Sequence, residues 1–154
     1  MIQRIPSDDG DLVERLSHLP VARDTAEHYR GYLRRDLLVN RCADCGHRHH
    51  PMRPMCPACW SWNVVPTAVS GRGTVYLVTL LHQGPPADGV DYTNAPHPVV
   101  TVELEEQPGL RFTSTVIGCD PHDVRIGMPV ELAWIERNGS PFPAFRPAKR
   151  EGRA

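Results

Sequence analysis

The chain lacks features that mark several classes of protein. Only 6% of its 154 residues are aromatic, its formal net charge is −1, and lysine occurs once, at Lys149. A balanced charge of this kind does not indicate a polyanionic or membrane-surface partner. No apolar run approaches the roughly 20 residues that cross a bilayer, and the first residues lack the apolar core of a signal peptide. We therefore expect a cytoplasmic protein without membrane contact.

Motifs for several kinds of catalysis are also missing. The sequence contains no G-x-S-x-G, P-loop, dinucleotide-binding or H-E-x-x-H pattern. Cys119 has His122 close in sequence, but a reactive thiol also needs a cation or dipole beside it. We expect Cys119 to be a small, partly buried residue at a strand end. We predict no catalytic residue, and a free-standing hydrolase that uses His82, His97 or Cys119 is the weakest of three functional hypotheses.

Four cysteines in two pairs are the most informative residues that are present. Cys42 and Cys45 form one C-x-x-C, Cys56 and Cys59 form a second, and ten residues separate the pairs. Two such pairs can place four thiolates around one ion, which predicts a structural Zn²⁺ with no open position for a catalytic water. Rubredoxin-type iron is the rival metal, although its cysteine pairs usually lie farther apart. Paired thiols without a secretion signal suit a reducing compartment.

Histidines and arginines surround the cysteine pairs. His47, His49 and His50 lie between the pairs, and we expect them to be exposed loop residues because four thiolates already satisfy the metal. Residues 28–53 contain six Arg against two Asp. This excess can attract phosphate groups or an acidic surface, or the arginine stems can simply cover apolar surface.

The rest of the pattern predicts a mainly β protein that begins with short helices. A first helix is expected near Asp11–Leu19, and a second begins after Asp24, which is a suitable N-cap. Later segments alternate apolar and polar residues and are separated by turn signals, which predicts a small barrel of five or six strands. The candidate strands are Val64–Val69 (leading into the barrel), Thr74–His82, Pro98–Glu105, Leu110–Val116, Val130–Trp134 and Phe142–Arg146 (at a sheet edge).

These elements divide the chain into four expected parts. They are a helical segment at residues 1–36, a four-cysteine zinc ribbon at 37–65, a barrel at 66–147 and a disordered tail at 148–154. The connection Gly84–His97 is long, and long loops on compact barrels often bind ligands. Its composition fits a solvated connector with one buried Tyr equally well.

The order of these parts resembles a known family. An aromatic pair on a helix and a four-cysteine ribbon precede Gly71-Arg72-Gly73-Thr74-Val75-Tyr76, Ile126–Val130 and Pro143–Pro147. This resembles the family once called "domain of unknown function thirty-five", over about residues 24–148. The resemblance implies a rubredoxin-like zinc ribbon followed by an OB-fold barrel. Three positions depart from the family pattern: His28-Tyr29 replaces Phe-Trp, Arg35 replaces Gly, and Trp60 replaces the Gly that commonly follows the last cysteine.

The resemblance also implies a role. Members look like non-catalytic subunits that accompany a thiolase, a thiolase-like aldolase or a hot-dog-fold hydratase in lipid or steroid metabolism, where they assist assembly and the binding or channelling of acyl-CoA. The candidate ligand or partner contacts are Arg48, Arg53, Arg72, His82, Tyr92 and His97. The alternative is nucleic-acid binding, which ribbons and OB-folds also perform. Residues 70–154 do not favour it, since they hold eight Arg or Lys against ten acidic residues.

Overall fold

The protein consists of two short helices, a small three-stranded sheet and a five-stranded sheet, as seen in a computed structural model that describes residues 9–149. The helices are α1 (Asp9–Arg15) and α2 (Ala26–Arg34). The strands are β1 (Leu38–Cys42), β2 (Arg48–His49), β3 (Val64–Ala68), β4 (Arg72–Leu81), β5 (His97–Leu104), β6 (Arg111–Thr115), β7 (Pro129–Arg137) and β8 (Ser140–Pro147). The mainly β architecture predicted from the sequence is confirmed. Most of the predicted disordered tail at 148–154 lies outside the described residues.

Both predicted helices form, with different ends. The first ends at Arg15 instead of Leu19. The N-cap of α2 is Thr25 and not Asp24, and Thr25 caps no backbone N–H with its side chain. Its hydroxyl instead accepts a hydrogen bond from the Ala22 N–H at 2.9 Å, which fixes the turn before the helix.

The helix α2 ends at Arg34, and its C-cap Arg35 adopts a left-handed conformation with φ 60°. The N–H groups of Arg35 and Asp36 donate to the carbonyls of Tyr32 and Gly31, at 3.0 and 2.8 Å. This pattern satisfies the last carbonyls of the helix and usually places Gly at the left-handed position. The chain then turns directly into β1.

The small sheet has the strand order β2-β1-β3. The strand β3 pairs with β1 along its whole length, from Leu38 opposite Ala68 to Cys42 opposite Val64. The prediction that Val64–Val69 leads into the barrel as one of its strands is therefore wrong, because this segment completes the ribbon sheet. Alternation showed that the segment is a strand, but the partner of a strand is decided by contacts distant in sequence.

The larger sheet has the order β6-β5-β4-β7-β8 and curls into a nearly closed barrel. Its two outer strands meet, since Val116 forms a parallel bridge with Phe145 and the Ser114 hydroxyl donates to the Pro143 carbonyl at 2.5 Å. The predicted edge strand at Phe142–Arg146 is thus not a free edge. Closure removes the unpaired backbone groups that an open sheet would expose.

The barrel interior is filled by apolar side chains from its strands. Every second residue of β5 is buried, and Val100 and Val102 are fully enclosed. The buried core comprises Tyr32, Leu37, Val39, Val75, Val100, Val102, Leu104, Leu110, Phe112, Val116, Val124, Val130 and Phe145. Because Tyr32 comes from α2 and Leu37 and Val39 come from the start of the ribbon, the three parts of the chain share one core.

Two glycines at the start of β4 allow close approach of neighbouring strands. Gly71 has φ 80°, and a Cβ there would collide with the Leu132 side chain. A Cβ on Gly73 would collide with the Glu103 carbonyl and with Val102 of the paired strand. The Gly-Arg-Gly segment is therefore a packing requirement of the barrel.

The described residues contain no helix that is long and apolar enough to cross a membrane.

Candidate functional site

Two turns of nearly identical geometry carry the four cysteines. In the first turn the Cys42 N–H donates to the His47 carbonyl at 2.8 Å, and the Gly46 N–H donates to the Cys42 carbonyl at 2.9 Å. In the second turn the Cys56 N–H donates to Ser61 at 2.8 Å, and the Trp60 N–H donates to Cys56 at 2.9 Å. Backbone geometry thus orients two sulfurs from each turn, as a metal-binding knuckle requires.

The residue after each pair is left-handed, with φ 78° at Gly46 and φ 63° at Trp60. Glycine adopts this conformation freely, whereas a residue with a Cβ loses about 1–2 kcal/mol there. The second knuckle therefore carries strain that the first avoids.

The four sulfurs converge on one point. All lie within 4.8 Å of one another, with Cys42 Sγ 3.6 Å from Cys59 Sγ and Cys45 Sγ 3.7 Å from Cys56 Sγ. Tetrahedral Zn–S bonds of about 2.3 Å place sulfurs about 3.8 Å apart, so the residues fit a Zn²⁺ ion. Cys42 and Cys56 are buried, while Cys45 and Cys59 are exposed. Among residues 9–149, no other group of three or more His, Cys, Asp or Glu side chains is arranged to hold a metal.

The local backbone favours thiolate formation at Cys42. A hydrogen bond from the Cys45 backbone lowers the pKa of the Cys42 thiol to about 7, so about half of this thiol is ionised at neutral pH. Asp44 ties the two knuckles together, because its carboxylate accepts hydrogen bonds from the Ser61 hydroxyl and, at 3.1 Å, from the Asn63 amide. These bonds hold the pKa of Asp44 below its usual range.

The prediction that the histidines between the pairs are exposed is wrong. His49 is 7% exposed, His47 and His50 are half-buried, and none of the three rings joins the sulfur cluster. The His50 ring packs against His28 at 5.1 Å and against Phe112 at 5.0 Å. Burial, together with the neighbouring His28, lowers the pKa of His50 to about 4.

His28 lies at the junction of the helix, the ribbon and the barrel. Its Nδ1 is 2.7 Å from the Leu38 carbonyl, which can only accept, so Nδ1 carries the proton and Nε2 accepts from the Tyr32 hydroxyl at 3.2 Å. Burial lowers the pKa of His28. No local pattern indicated this role, because a neutral histidine with both nitrogens satisfied occupies an apolar position as a phenylalanine would.

One side chain of the barrel, that of Gln107, hydrogen-bonds to the backbone of the ribbon. The Gln107 amide accepts from the Arg48 backbone N–H and donates to the Arg48 carbonyl, both at 2.8 Å. Gln107 lies in the turn between β5 and β6, so it continues the edge of β2 as a strand would. A shallow cleft of about 510 Å³ lies beside this contact, lined by Cys45, Gly46, His47, Ala58, Gln107 and Pro108.

The six arginines of residues 28–53 fall into two groups. Those on the helical side are ion-paired within the chain: Arg30 with Glu27, Arg34 with Asp36 at 3.8 Å, and Arg35 with Glu136 at 3.2 Å. For the three arginines of the ribbon, Arg41, Arg48 and Arg53, no ion pair with an acid is found within residues 9–149.

Arg72, another candidate contact, lies on β4 of the barrel. Its Nε donates to the Glu105 carboxylate at 2.8 Å. A ligand that approaches Arg72 would therefore compete with Glu105.

The long loop packs against the turn between β7 and β8. Tyr92 lies over Gly84, where a Cβ would be 2.5 Å from the tyrosine hydroxyl, and its ring is 6.5 Å from His97. The Asp88 carboxylate accepts the Asn138 backbone N–H at 2.7 Å. Tyr92 is half-buried, so the loop is a packed element with an exposed rim.

Sequence reasoning missed Arg137 at the base of this loop. Its guanidinium lies 4.5 Å from the centre of the Phe142 ring, and its Nε is buried without a hydrogen-bond partner among residues 9–149. Burial, and then the charge of Arg137, lowers the pKa of His97. The structure thus groups Tyr92, His97 and Arg137, while His82 is exposed at the end of β4. Arg137 is 40 residues from His97 in the chain, so no local pattern could have linked them.

Two family descriptions match consecutive segments of the chain. They are the rubredoxin-like zinc ribbon domain of ChsH2 over residues 32–65 and the C-terminal OB-fold domain of ChsH2 over residues 66–135. A DUF35 domain-containing scaffold protein of Methanocaldococcus jannaschii is 38% identical over 100 residues, which cover 64% of this chain and 67% of that protein. The chain belongs to the DUF35 family. The resemblance noted in the sequence is confirmed, and the matching ribbon description supports structural zinc at the four cysteines.

Two further relatives of this DUF35 chain have names that state an enzymatic function. A probable enoyl-CoA hydratase alpha subunit of Thermomonospora curvata is 36% identical over 130 residues, which cover 83% of this chain and 39% of that subunit. A chain of the solved Ltp2-ChsH2(DUF35) aldolase superimposes with a TM-score of 0.75 at 34% identity, covering 85% of this chain and 99% of that chain. The present chain thus spans about two fifths of the length of the hydratase subunit.

Proposed function

We propose that this chain is a non-catalytic, zinc-containing accessory subunit of an acyl-CoA-metabolising enzyme complex. The observation that carries the proposal is the match to the DUF35 chain of an aldolase along 99% of that chain's length. The relative named as a hydratase alpha subunit supports the same role with a different enzyme. The ribbon and the barrel are the parts common to these proteins, so we assign them to assembly rather than to one reaction.

The metal has a structural role in this proposal. Four thiolates from Cys42, Cys45, Cys56 and Cys59 would fill the coordination sphere of Zn²⁺ and leave no position for a reacting water. Bound zinc would crosslink the two knuckles and hold the ribbon against the barrel. Because thiolate ligands must stay reduced, we place the protein in the cytoplasm. The partner, a thiolase-like protein, an aldolase or a hydratase, supplies the catalytic residues.

Two surfaces are suited to contact acyl-CoA in the assembled complex. Arg48 and Arg53 on the ribbon can meet phosphate groups without first breaking an ion pair within the described residues. At the other surface Tyr92, His97 and Arg137 offer a hydroxyl, an imidazole and a guanidinium beside the long loop. Guanidinium groups bind phosphates through paired hydrogen bonds, which makes the three arginines the stronger candidates.

The proposal is tested by purifying the tagged chain from its native host. We expect a thiolase-like, aldolase or hydratase subunit, identified by mass spectrometry, to co-purify at a fixed ratio. The chain alone should show no acyl-CoA turnover, and turnover or stability of the enzyme subunit should increase when the chain is added. Absence of such a subunit, combined with no binding of acyl-CoA by the chain, would refute the proposal.

A control addresses the alternative function. Single-stranded DNA is offered to the isolated chain at two salt concentrations, because electrostatic binding to nucleic acid weakens as salt rises. We expect no binding at either concentration. Tight, salt-sensitive binding would favour a nucleic-acid-binding protein instead.

A further inference from the structure

The two knuckles offer an internal comparison. They share the same two backbone hydrogen bonds with the same distances, so Gly46 and Trp60 occupy equivalent left-handed positions. Glycine is the residue that this conformation favours, and the first knuckle has it. The second knuckle has instead the largest side chain available. Metal binding does not require that side chain, because the first knuckle positions its sulfurs without one.

Trp60 is one of a pair of exposed tryptophans. Trp60 is 74% exposed and Trp62 is 73% exposed. Ser61, which lies between the two tryptophans, and Asn63, which follows them, donate hydrogen bonds to the Asp44 carboxylate. Met55, directly before the second knuckle, is 38% exposed. We call Met55, Trp60 and Trp62 the knuckle patch.

The tryptophans do little for the fold of their own chain. Within the part of the chain that the structure describes, neither ring makes an aromatic or cation–π contact. By contrast, the exposed Tyr76 is covered by the Arg111 guanidinium at 3.6 Å from the ring centre. A strained backbone position that displays an uncovered aromatic ring is better explained by a contact outside the chain.

The chemistry of the patch restricts what can cover it. No residue from Met55 to Val65 is charged, and four thiolates around one Zn²⁺ leave the adjacent metal site with a net negative charge. The patch itself offers no cationic side chain to a polyanion such as nucleic acid or an anionic membrane. An apolar protein pocket gains from burying two indole rings and has no charge to satisfy.

The size of the patch distinguishes between a second copy of this chain and a different protein with a larger interface. Two tryptophans at this exposure present roughly 300 Å² of largely apolar surface. A stable interface buries about 800 Å² on each partner, so two copies meeting through this patch alone would bury too little. Clustered tryptophans at this scale are typical of the energetic centre of a larger interface.

We infer that the knuckle patch is the anchor by which this chain binds the enzyme subunit of its complex, with Trp60 and Trp62 inserted into an apolar pocket of that subunit. The inference rests on the proposed function and adds the surface through which it operates. In the complex, the strain at Trp60 is offset by burial of its ring.

The test uses Trp60→Gly, which should separate binding from folding. Because glycine relieves the left-handed strain, we expect the variant to keep one zinc per chain and a melting temperature equal to or above that of the wild type. Its affinity for the co-purifying enzyme subunit, identified by mass spectrometry and assay, should fall at least tenfold. Trp62→Ser should weaken binding similarly. Ile126→Ser is the matched control, since Ile126 is 66% exposed on the barrel and should leave affinity unchanged.

The outcomes distinguish this inference from the proposed function. Unchanged affinity in Trp60→Gly and Trp62→Ser, with the enzyme subunit still bound, would overturn the inference and leave the proposed function intact. Self-association of the isolated chain that disappears in Trp60→Gly, or tryptophan-dependent binding to phosphatidylcholine vesicles, would assign the patch to another occupant and also overturn it. If no enzyme subunit accompanies the chain, the proposed function fails and the inference fails with it.

Discussion

At the zinc site, hydrogen bonds of the backbone and of Asp44 orient the individual side chains. Each knuckle uses two backbone hydrogen bonds to aim its sulfurs, and Asp44 joins the knuckles through Ser61 and Asn63. Metal binding and local folding are therefore linked, as they are in small zinc modules whose binding energy is also folding energy.

Removal of a buried sulfur tests this link. Cys56→Ser should abolish stoichiometric zinc, because three thiolates and a hydroxyl bind Zn²⁺ far more weakly than four thiolates. Metal analysis of protein purified without chelator should give about one zinc per chain for the wild type and well below that for the variant. Cys119→Ser is the control, since Cys119 lies outside the sulfur cluster and should retain zinc. Full zinc content in Cys56→Ser would show that the site is built differently.

Buried histidines should make stability depend on pH. The pKa of His50 is about 4 in the folded chain, against about 6.5 when unfolded. Between these values the unfolded state binds a proton that the folded state does not, so stability is full above pH 6.5 and falls as the pH drops towards 4. The lowered pKa of His28, His49 and His97 acts in the same direction.

The measurement is urea unfolding of zinc-loaded protein at pH 7.5 and pH 5.5. His50→Gln should show a smaller loss of unfolding free energy between these conditions than the wild type, since one of the titrating groups is gone. Both proteins carry the same zinc site, so proton competition for the thiolates cancels in the comparison. An equal or larger loss in His50→Gln would contradict the assignment.

At the scale of elements, the start of β4 lies so close to β5 that only glycine fits at position 73. Gly73→Ala should reduce the free energy of unfolding by about 2 kcal/mol or more, because its Cβ would meet the Glu103 backbone, which cannot move without disrupting β5. Gly10→Ala is the matched control. Gly10 lies in α1 with nothing within 4 Å of a Cβ, so alanine there should stabilise by about 0.5–1 kcal/mol. Equal effects at the two positions, measured by urea unfolding, would argue against the packing role.

One amide of the barrel adds two hydrogen bonds to its contact with the ribbon. Gln107→Ala should cost about 1–3 kcal/mol, since it leaves both backbone groups of Arg48 without their partners at a partly buried position. Gln83→Ala, at an exposed loop position, should change stability by less than about 0.5 kcal/mol. The comparison is made by thermal unfolding of zinc-loaded protein. An effect of Gln107→Ala no larger than that of Gln83→Ala would mean that the ribbon is held by the shared core alone.

Local signals predicted some elements well. Cysteine spacing indicated the metal cluster because the ligand geometry of a knuckle is contained within a few residues. Period-two alternation indicated strands because burial alternates along a strand with one face in the core, as it does in β5. Both signals operate within one element.

Long-range contacts explain what the sequence could not indicate. The strand β3 was assigned to the wrong sheet because alternation does not name the partner strand. His49 and His50 are shielded because β2 lies against the barrel, where Gln107 binds its backbone. Arg137 contacts the long loop because β7 runs back along the sheet. The ligand contacts expected at Arg48, Arg53, Arg72, His82, Tyr92 and His97 stay predictions.

The described residues form one folded unit that carries two outward surfaces. The helix, the ribbon and the barrel share one core, in which His28 of the helix hydrogen-bonds to Leu38 of the ribbon and its ring lies 6.1 Å from Phe112 of the barrel. The knuckle patch on the ribbon and the loop surface around Tyr92 are parts of this unit. A folded unit with separate contact surfaces suits a subunit that holds an enzyme in place.

If this chain works with zinc as part of an enzyme complex, native mass spectrometry of the chain co-expressed with its enzyme subunit should detect that complex. We expect a heteromeric species of fixed stoichiometry whose mass includes one zinc ion for each copy of this chain. Detection of this chain solely as a metal-free species, or as a zinc-loaded species with no enzyme subunit attached, would contradict this expectation.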